Sequence, residues 1–469
     1  MPKLVTANLS NNADPCVLRY TTSDNQMLKI NAGAFEADII SHTYSNEEGV
    51  IIFDKTIISI EDYAFKDCSN LATVIIPNGV TSIRQCAFCD CNSLTTITIP
   101  NSIIEMELWA FCNCNSLKKI YITDLSAWCR IRFSCIDSNP LYNGANLYLN
   151  NELVSQLIIP SDITEIRNYT FSGCTSFASV IIPNNITTID TDAFKNCINL
   201  TSITISDSIS SIGDRAFCNC NSLVSVTIPD SVISIGEFAF YNCKCLTSAN
   251  IGNGVNSIGR AAFSGCSSLI AFYGKFASED NRCLIVDGVL NSFASSGLTS
   301  YNIPSNVTSI GYMSFCNSSN LESVTIPNSV TSTEGAVFCN CNNLMAFYGK
   351  FASEDNRCLI IDGVLDSFAP SGLTKYDIPN NVISIGFEAS CNWRNLVYIT
   401  IPNSVTSIRL WGFSDCSNLK TIVCKAAVPP KLDGVDFVFG NIPEDATIVI
   451  PEGCKEAYMN SDWRYLFEK

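Results

Sequence analysis

Apolar residues recur along this chain in a pattern that repeats every 23 residues. Isoleucine-proline pairs mark most of the repeat starts, with prolines at 77 and 100, at 304 and 327, and at 379 and 402. Twelve units follow the pattern, starting at residues 54, 77, 100, 160, 183, 206, 229, 252, 304, 327, 379 and 402. A fixed period of about 20–50 residues is typical of solenoids, in which each unit forms one rung of a stack.

Each apolar position of the unit has a distinct role. Position 4 is always β-branched, position 7 is isoleucine except at Met106 and Thr333, and position 12 is phenylalanine except at Ser390. Leucine recurs at position 18, and alternating apolar residues at positions 21 and 23 predict a short strand, which the following proline ends because it has no N–H to donate. Since one unit alone would expose all of these side chains, we predict a strand-rich repeat solenoid over residues 54–424.

The repeat consensus is Ile-Pro-x-x-Val-x-x-Ile-Gly-x-x-Ala-Phe-x-x-Cys-x-x-Leu-x-x-Val-x-Ile. It resembles the 23-residue leucine-rich repeat of the BspA-like (Treponema pallidum-type) family, and the resemblance covers residues 54–424. The resemblance implies a leucine-rich-repeat fold. It also implies a role as a surface protein or adhesin of gut and oral bacteria or mucosal protozoa, binding host matrix proteins or other cells.

Three insertions interrupt the period, at about residues 123–159, 275–303 and 350–378. The last two are near copies, since residues 272–290 and 347–365 differ only at Val286 and Ile361. Asp-Gly pairs at 287–288 and 362–363 predict hairpins with type I′ turns. We predict that each is a hairpin arm on the solenoid edge, and that residues 1–53 and 425–469 cap the open ends. The insertions could mark the binding face of the solenoid, or they could merely extend the sheet and cover an edge.

The charge balance and the histidine count exclude several classes of protein. The 469 residues include 28 Lys+Arg, 44 Asp+Glu and one histidine, with a net charge of −16. An anionic chain is a poor nucleic-acid binder. His42 alone could serve a catalytic triad, and no multi-histidine metal site can form. We therefore expect no enzyme activity, no cofactor and no metal; an enzyme site in the first insertion, near Trp128 and Asp137, is the weakest hypothesis.

Cysteines are the most conspicuous candidates for chemistry. Of 25 cysteines, ten occupy position 15 and six occupy position 13 of the unit. We interpret them as ladders of buried thiols, which pack as small apolar groups. The alternatives are metal capture by the Cys-x-Cys pairs at 89/91, 112/114, 218/220 and 339/341, and disulfides between neighbouring rungs. The acidic segment 278–282 and its copy 353–357 lack the ligand spacing of a calcium loop and predict polar turns.

Positions 20 and 22 flank the inward residues of each predicted strand and should form outward rows of hydroxyl and aromatic groups. The candidate binding surface consists of Thr96, Thr98, Lys119, Tyr121, Ser202, Thr204, Ser225, Thr227, Tyr273, Ser323, Thr325, Tyr348 and Tyr398. Such rows could bind a protein or glycan ligand. The alternative is that serine and threonine only solvate the sheet.

The functional prediction is a non-enzymatic interaction or adhesion module that uses the solenoid surface and its insertions. The alternative is a structural or assembly component, for example of a virion, an appendage or a cytoskeletal complex. The chain begins without a signal-peptide pattern and has no run of about 18 apolar residues, so membrane insertion is not expected. As written it predicts a reduced, cytoplasmic protein, whereas the family resemblance suggests the cell surface.

Overall fold

The structure is a computed structural model that describes residues 14–30, 33, 35–389 and 393–467. Ser390 and Cys391, which the repeat places at positions 12 and 13, lie outside the described residues. The chain divides into two compact units. The first comprises residues 1–243 and 252–259, and the second comprises residues 244–251 and 260–469.

Each regular rung contributes a two-residue strand at positions 6 and 7. These short strands are Ser59–Ile60, Ser82–Ile83, Glu105–Met106, Glu165–Ile166, Thr188–Ile189, Ser211–Ile212, Ser234–Ile235, Ser257–Ile258, Ser309–Ile310, Ser332–Thr333, Ser384–Ile385 and Ser407–Ile408. Within each of the two compact units, the short strands of neighbouring rungs pair in parallel, as Ser211 does with Ser234. The isoleucine at position 7 faces the core, and Ile212 is only 1% exposed.

Each regular rung also contributes a longer strand that ends near position 23, as the sequence predicts. These long strands are Leu71–Ile75, Thr96–Thr98, Lys119–Ile122, Ser179–Ile181, Ser202–Thr204, Ser225–Ile228, Ser248–Ile251, Ala271–Gly274, Ser323–Ile326, Ala346–Gly349, Tyr398–Ile401 and Thr421–Cys424. Long strands of neighbouring rungs also pair in parallel, for example Val180 with Ile203. The prediction of a strand-rich leucine-rich-repeat solenoid is confirmed.

A turn between the two strands joins the rungs by a third set of backbone hydrogen bonds. The amide of Phe217 donates to the carbonyl of Ala239 in the next rung at 2.7 Å. The phenylalanines at position 12 therefore stack face to face. The ring centre of Phe217 lies 5.3 Å from that of Phe194 and 5.1 Å from that of Phe240. These stacked rings form the centre of the core in the first unit.

Two turn positions adopt left-handed backbone in every regular rung where they are described. Position 14 is always asparagine, aspartate or glycine, which tolerate positive φ best. Asn219 is representative, since its side-chain amide donates to Asn196 at 2.8 Å and its oxygen accepts from Asn242 at 2.8 Å. Position 10 is also left-handed but holds varied residues, including Trp109 with φ of 59°. The tertiary hydrogen bonds, rather than residue preference, hold position 10 in this conformation.

The first interruption is an irregular rung rather than a simple insertion. Its elements are the helix Leu125–Arg130, the 3-10 helix Ile136–Ser138 and the strands Arg132–Phe133, Asn146–Leu149, Glu152–Leu153 and Gln156–Ile158. Arg132–Phe133 pairs in parallel with Glu105–Met106, and Asn146–Leu149 pairs in parallel with Lys119–Ile122. Trp128 is 1% exposed, and its indole N–H donates to the Thr170 carbonyl at 3.1 Å.

The two duplicated interruptions contain the predicted hairpins. Their strands are Cys283–Val286, Val289–Phe293 and Ser300–Asn302 in one copy, and Cys358–Ile361, Val364–Phe368 and Lys375–Asp377 in the other. Positive φ at Asp287 and Gly288, 50° and 80°, confirms the type I′ turn.

The prediction that these hairpins are arms on the solenoid edge is wrong. Val289 pairs in parallel with Ser309, so the second hairpin strand continues the row of short strands. Phe293 is 5% exposed, and its ring lies 4.5 Å from that of Phe315. Each duplicated interruption is therefore a complete rung of the core, because its buried residues take the places that positions 7 and 12 have elsewhere.

The acidic turn in each copy anchors the hairpin to the next long strand. The Asp280 carboxylate accepts hydrogen bonds from the hydroxyls of Ser278 at 2.6 Å and Tyr301 at 3.0 Å. Although burial raises the pKa of Asp280, these bonds and one from the Arg282 amide together lower it. The Cys283 thiol lies 3.2 Å from the same tyrosine hydroxyl. Both carboxylate oxygens of Asp280 therefore have a structural role.

A buried carboxyl distinguishes the two copies. Asp366 is 9% exposed and accepts hydrogen bonds from the hydroxyls of Thr333 and Ser367. At the equivalent place in the first copy, the side-chain oxygen of Asn291 accepts from Ser292 at 2.9 Å. The contact between Thr333 and Asp366 accounts for threonine replacing isoleucine at position 7 of that rung.

Burial raises the pKa of the Asp366 carboxyl, so the folded protein binds this proton more tightly than the unfolded chain. The stability contributed by the bound proton is complete below the unfolded pKa, about 3.9, and is lost as pH rises through the folded pKa. We expect Asp366→Asn to raise the free energy of unfolding at pH 7 by about 1–3 kcal/mol, and the gain to disappear near pH 4. Urea unfolding between pH 4 and 8 measures this. Asn291→Asp is the matched reverse change, and a stabilising effect from it would contradict the explanation.

The two ends differ from each other. At the N-terminal end, Val17–Thr22, Ile39–Ser45 and Glu48–Phe53 form antiparallel strands, and the first pairs with Leu71–Ile75. Towards the C-terminus, Lys431–Leu432 and Thr447–Val449 continue the short and long rows in parallel.

Residues 425–450 therefore form a further rung of altered spacing, contrary to the prediction that all of 425–469 is a cap. Phe439 stacks on Phe413 with ring centres 5.5 Å apart, as the phenylalanines of position 12 do elsewhere. The helices in this part of the chain are Val435–Val438, Lys455–Met459 and the 3-10 helix Asp462–Leu466. The last two cover the apolar end of this rung, where Trp463 is fully buried.

Candidate binding surface

The outward rows form because parallel long strands pair in register. Every second residue of a strand points away from the core, so positions 20 and 22 of successive rungs lie side by side at the strand spacing of about 4.8 Å. Ser179 pairs with Ser202, and Ile181 pairs with Thr204. The side chains of Ser202, Thr204, Ser225 and Thr227 are all exposed. These rows present hydroxyl groups on a fixed backbone.

A mixed patch lies on the first unit around Lys119 and Tyr121, both half-buried. Lys119 pairs with Thr96 on one side, and Tyr121 pairs with Tyr148 on the other. The ring centres of Tyr121 and Tyr148 are 4.9 Å apart. Tyr148 comes from the irregular rung and has no counterpart in the repeat pattern, so the pattern alone did not include it.

Thr98 differs from the other predicted residues of the first unit. It pairs with Tyr121 as expected, but its side chain is only 5% exposed. Thr98 is therefore too buried to contact a partner directly, and the prediction that it belongs to the candidate binding surface is wrong.

Two exposed tyrosines mark the second unit. Tyr273 and Tyr348 are 48% and 46% exposed and occupy equivalent places in the duplicated segments. Tyr348 pairs with Thr325, and Ser323 lies on the same strand as Thr325. Asn250 pairs with Tyr273 and adds an amide that the prediction did not include. An exposed ring beside hydroxyl and amide groups is suited to a binding contact.

Tyr398 belongs to a third cluster further along the second unit. It pairs with Lys375, whose ammonium nitrogen lies 4.3 Å from the centre of the Tyr398 ring. Lys375 comes from the third interruption, so repeat arithmetic could not place it beside Tyr398. A lysine three residues before an isoleucine-proline pair was the available signal.

The thirteen predicted residues do not form one continuous site. The structure brings Thr96, Lys119 and Tyr121 together in the first unit. In the second unit it brings Thr325 and Tyr348 together. The long strands that carry these patches belong to several separate sheets, so the predicted residues form a series of patches rather than one pocket.

The cysteines of position 15 form a column with a specific hydrogen-bonding role. Six thiols of this column donate to the carbonyl of the phenylalanine in the preceding rung, as Cys220 does to Phe194 at 3.2 Å and Cys114 to Phe88 at 3.0 Å. Cys68, Cys174 and Cys416 have other partners. Burial raises the pKa of the Cys114 thiol to about 12. Since nucleophilic attack and metal binding require the thiolate, burial disfavours both reactions at this thiol.

No described cysteine is joined to another by a disulfide, and the described residues contain no group of three or more His, Cys, Asp or Glu placed to hold a metal ion. Within the described cysteines, Cys245 is exposed and five others are partly exposed: Cys16, Cys112, Cys135, Cys339 and Cys454. The remaining eighteen are buried.

We therefore expect a thiol reagent to modify about six cysteines or fewer in the native protein, because burial both blocks access and suppresses the thiolate. In denaturant without reductant, the same reagent should modify close to all 25 cysteines of the chain. An Ellman titration of freshly purified protein measures both values. A denatured count well below 25 would indicate disulfides and contradict the ladder.

His42 lies in the N-terminal sheet with a tyrosine as its partner. Its Nε2 is 2.7 Å from the hydroxyl of Tyr20, and burial lowers its pKa. The imidazole therefore faces a phenol rather than a serine or cysteine nucleophile. Separately, within the part of the chain that the structure describes, no helix has the length and apolar character required to cross a membrane.

Together, the fold and the outward rows define a leucine-rich-repeat solenoid. The family described as "BspA type Leucine rich repeat region" matches residues 29–137, 144–270, 290–350 and 365–458. The chain belongs to this family, which confirms the resemblance seen in the repeat consensus.

The fold is similar to several bacterial structures. A leucine-rich cell surface protein from Faecalibacterium prausnitzii is 28% identical, with a TM-score of 0.50, and the match covers 74% of this chain and 83% of that one. The pneumococcal vaccine antigen PcpA is 18% identical over 90% of this chain and 98% of its own, with a TM-score of 0.46. A leucine-rich repeat protein from Bacteroides ovatus is 19% identical over 91% and 99%, with a TM-score of 0.39. The search of curated proteins found no match.

Proposed function

We propose that this protein is a non-enzymatic interaction module that binds a protein partner through the outward face of its long strands. The observation that carries the proposal is the in-register pairing of these strands, which fixes exposed hydroxyl and aromatic side chains in rows. A surface that is rigid before binding loses little conformational freedom on contact, so many modest contacts can add up to useful affinity.

Exposed aromatic residues provide the strongest expected contacts on this face. Tyr273 and Tyr348 present large, rigid rings, and such residues are common among those that dominate binding energy. The two rings occupy equivalent places in duplicated rungs, so a partner with a repeated motif could engage both. Binding at the cell surface, as an adhesin, is the setting that we propose, supported by the similarity to the F. prausnitzii cell surface protein.

The test is a binding screen against immobilised extracellular-matrix proteins and a glycan array, followed by substitution. Deleting the duplicated segments would remove core rungs, so point changes are required. We expect Tyr273→Ala/Tyr348→Ala to weaken binding of a captured protein by about tenfold or more. Tyr63→Ala is the matched control, because Tyr63 is 44% exposed but lies in the turn at position 10.

Equal loss in the control, or none in the double variant, would contradict the use of the strand face. Retention of glycans alone, with the same dependence on the two tyrosines, would change the partner class from protein to carbohydrate. No retention of either class would contradict the adhesin proposal.

A further inference from the structure

The C-terminal part of the second unit carries an open groove away from the rows of the long strands. It has a volume of about 370 Å³. Its lining residues are Gly434, Val435, Asp436, Phe437, Asp462 and Tyr465. The groove lies between the helix Val435–Val438 and the 3-10 helix Asp462–Leu466, which contact each other.

Buried residues hold both short helices in place. Val438 on one helix and Trp463 on the other are completely buried. The Trp463 indole N–H donates to the Pro430 carbonyl at 2.7 Å, and its ring lies 5.5 Å from that of Phe439. Because these inward side chains are fixed, the outward side chains of the same two helices keep a defined spacing across the groove.

The outward side chains include two exposed aromatic rings. Phe437 is 55% exposed and Tyr465 is 43% exposed. The Arg464 guanidinium lies 4.7 Å from the centre of the Tyr465 ring and donates to its hydroxyl at 2.7 Å, which orients that ring. Gly434 has φ of 87°, and a Cβ there would lie 3.1 Å from the Phe437 ring, so glycine leaves room for this ring.

Two carboxylates accompany the aromatic rings. Asp436 and Asp462 are both exposed and line the groove. Neither forms an ion pair with any lysine or arginine in the described part of the chain. The protein as a whole has a net charge of −16, which favours the approach of cationic partners.

We propose that this groove binds the lysine or arginine side chain of a basic segment on a protein partner. The cationic group would lie against the negative face of the Phe437 ring while the two carboxylates supply the opposite charge. Tyr465, whose ring already carries the Arg464 guanidinium, would form the opposite wall of the groove. The long aliphatic part of a lysine or arginine side chain would cover the exposed ring of Phe437. This site is separate from the strand face, so a negative result for the groove would not contradict the proposed function, and the reverse also holds.

The probe for the test is a fluorescein-labelled tetralysine peptide, titrated with full-length protein and followed by fluorescence anisotropy at low salt. We expect saturable binding that weakens about tenfold in Asp436→Asn/Asp462→Asn and in Phe437→Ala. Phe437→Leu keeps an apolar side chain without a π-face and should also weaken binding. Higher salt should reduce affinity because the ionic contacts are exposed.

The matched control is Glu444→Gln/Asp445→Asn, which removes two exposed charges from the same part of the chain but not from the groove. It should leave affinity within about twofold, since only general charge is lost. All of the substituted side chains are exposed, and unchanged thermal unfolding verifies the fold of each variant.

Three outcomes would overturn the proposal. The first is an equal loss of affinity in the control, which would reduce the effect to net charge. The second is equal binding of the same peptide with all lysines acetylated, which would exclude recognition of the cation. The third is the absence of saturable tetralysine binding when the protein is titrated to millimolar concentration.

Discussion

Replacing Phe217 with alanine is expected to lower the free energy of unfolding by about 3–5 kcal/mol. The ring is fully buried and stacks between Phe194 and Phe240, at 5.3 Å and 5.1 Å between ring centres. Alanine would leave a cavity lined by two rings that the backbone hydrogen bonds of the turn hold in place. Because the neighbouring rungs cannot move together without breaking those bonds, the cavity is expected to persist.

The measurement is urea unfolding followed by circular dichroism, with hydrogen exchange to locate the loss. In a solenoid each rung depends on its neighbours, so exchange should accelerate mainly in the rungs that contain Phe194, Phe217 and Phe240. Phe238→Ala is the matched control, because Phe238 is only partly buried. We expect it to cost about 1 kcal/mol or less. Similar losses for Phe217→Ala and Phe238→Ala would show that the stacked column does not carry the stability assigned to it.

Replacing Trp463 with alanine is expected to lower the free energy of unfolding by about 3–5 kcal/mol. We expect the loss to be confined to the C-terminal end of the second unit. Trp463 is fully buried, with its ring 5.5 Å from that of Phe439 and 5.5 Å from that of Tyr458. Its indole N–H also donates to the Pro430 carbonyl at 2.7 Å. The variant loses both the packing and the hydrogen bond, and it exposes the apolar end of the rung formed by residues 425–450.

Limited proteolysis and hydrogen exchange can separate this local effect from global unfolding. We expect rapid cleavage within residues 425–467 while the first unit stays protected, because terminal rungs have neighbours on one side only. Trp463→Phe keeps most of the packing and should isolate the contribution of the hydrogen bond. Trp411→Ala is the control for loss of a tryptophan, since Trp411 is 37% exposed. Protection of residues 425–467 in Trp463→Ala equal to the unsubstituted protein would contradict the assigned capping role.

The regular rungs could be predicted closely because each apolar position repeats with one burial state. Ile212 and Phe217 were assigned to the core from position alone, and both are buried. The hairpin turns were equally predictable, because Asp287 and Gly288 are residues that accept positive φ. In these cases the local preference of the residue and the demand of the fold coincide.

The interruptions were less predictable because their lengths differ from the period. Nothing in the spacing of residues 275–303 indicates that Val289 pairs with Ser309, which depends on contacts between distant residues. The same holds for the candidate binding surface. Tyr148 and Lys375 join it from irregular rungs, and burial removes Thr98 from it. By contrast, the left-handed turn at position 14 could be predicted from the sequence. Asn, Asp and Gly recur at this position, and these residues are suited to left-handed backbone.

The sequence by itself determined the repeat, the inward positions and the exclusion of a multi-histidine metal site, because each follows from residue type and spacing. The tertiary structure alone decided three further features. It made the interruptions into rungs, it forced left-handed backbone on residues as bulky as Trp109, and it formed the groove between Phe437 and Tyr465. The physical reason is the same in each case. These features depend on hydrogen bonds and packing between segments that are distant in the sequence. Such contacts can override the conformational preference of a single residue, and that preference does not predict them.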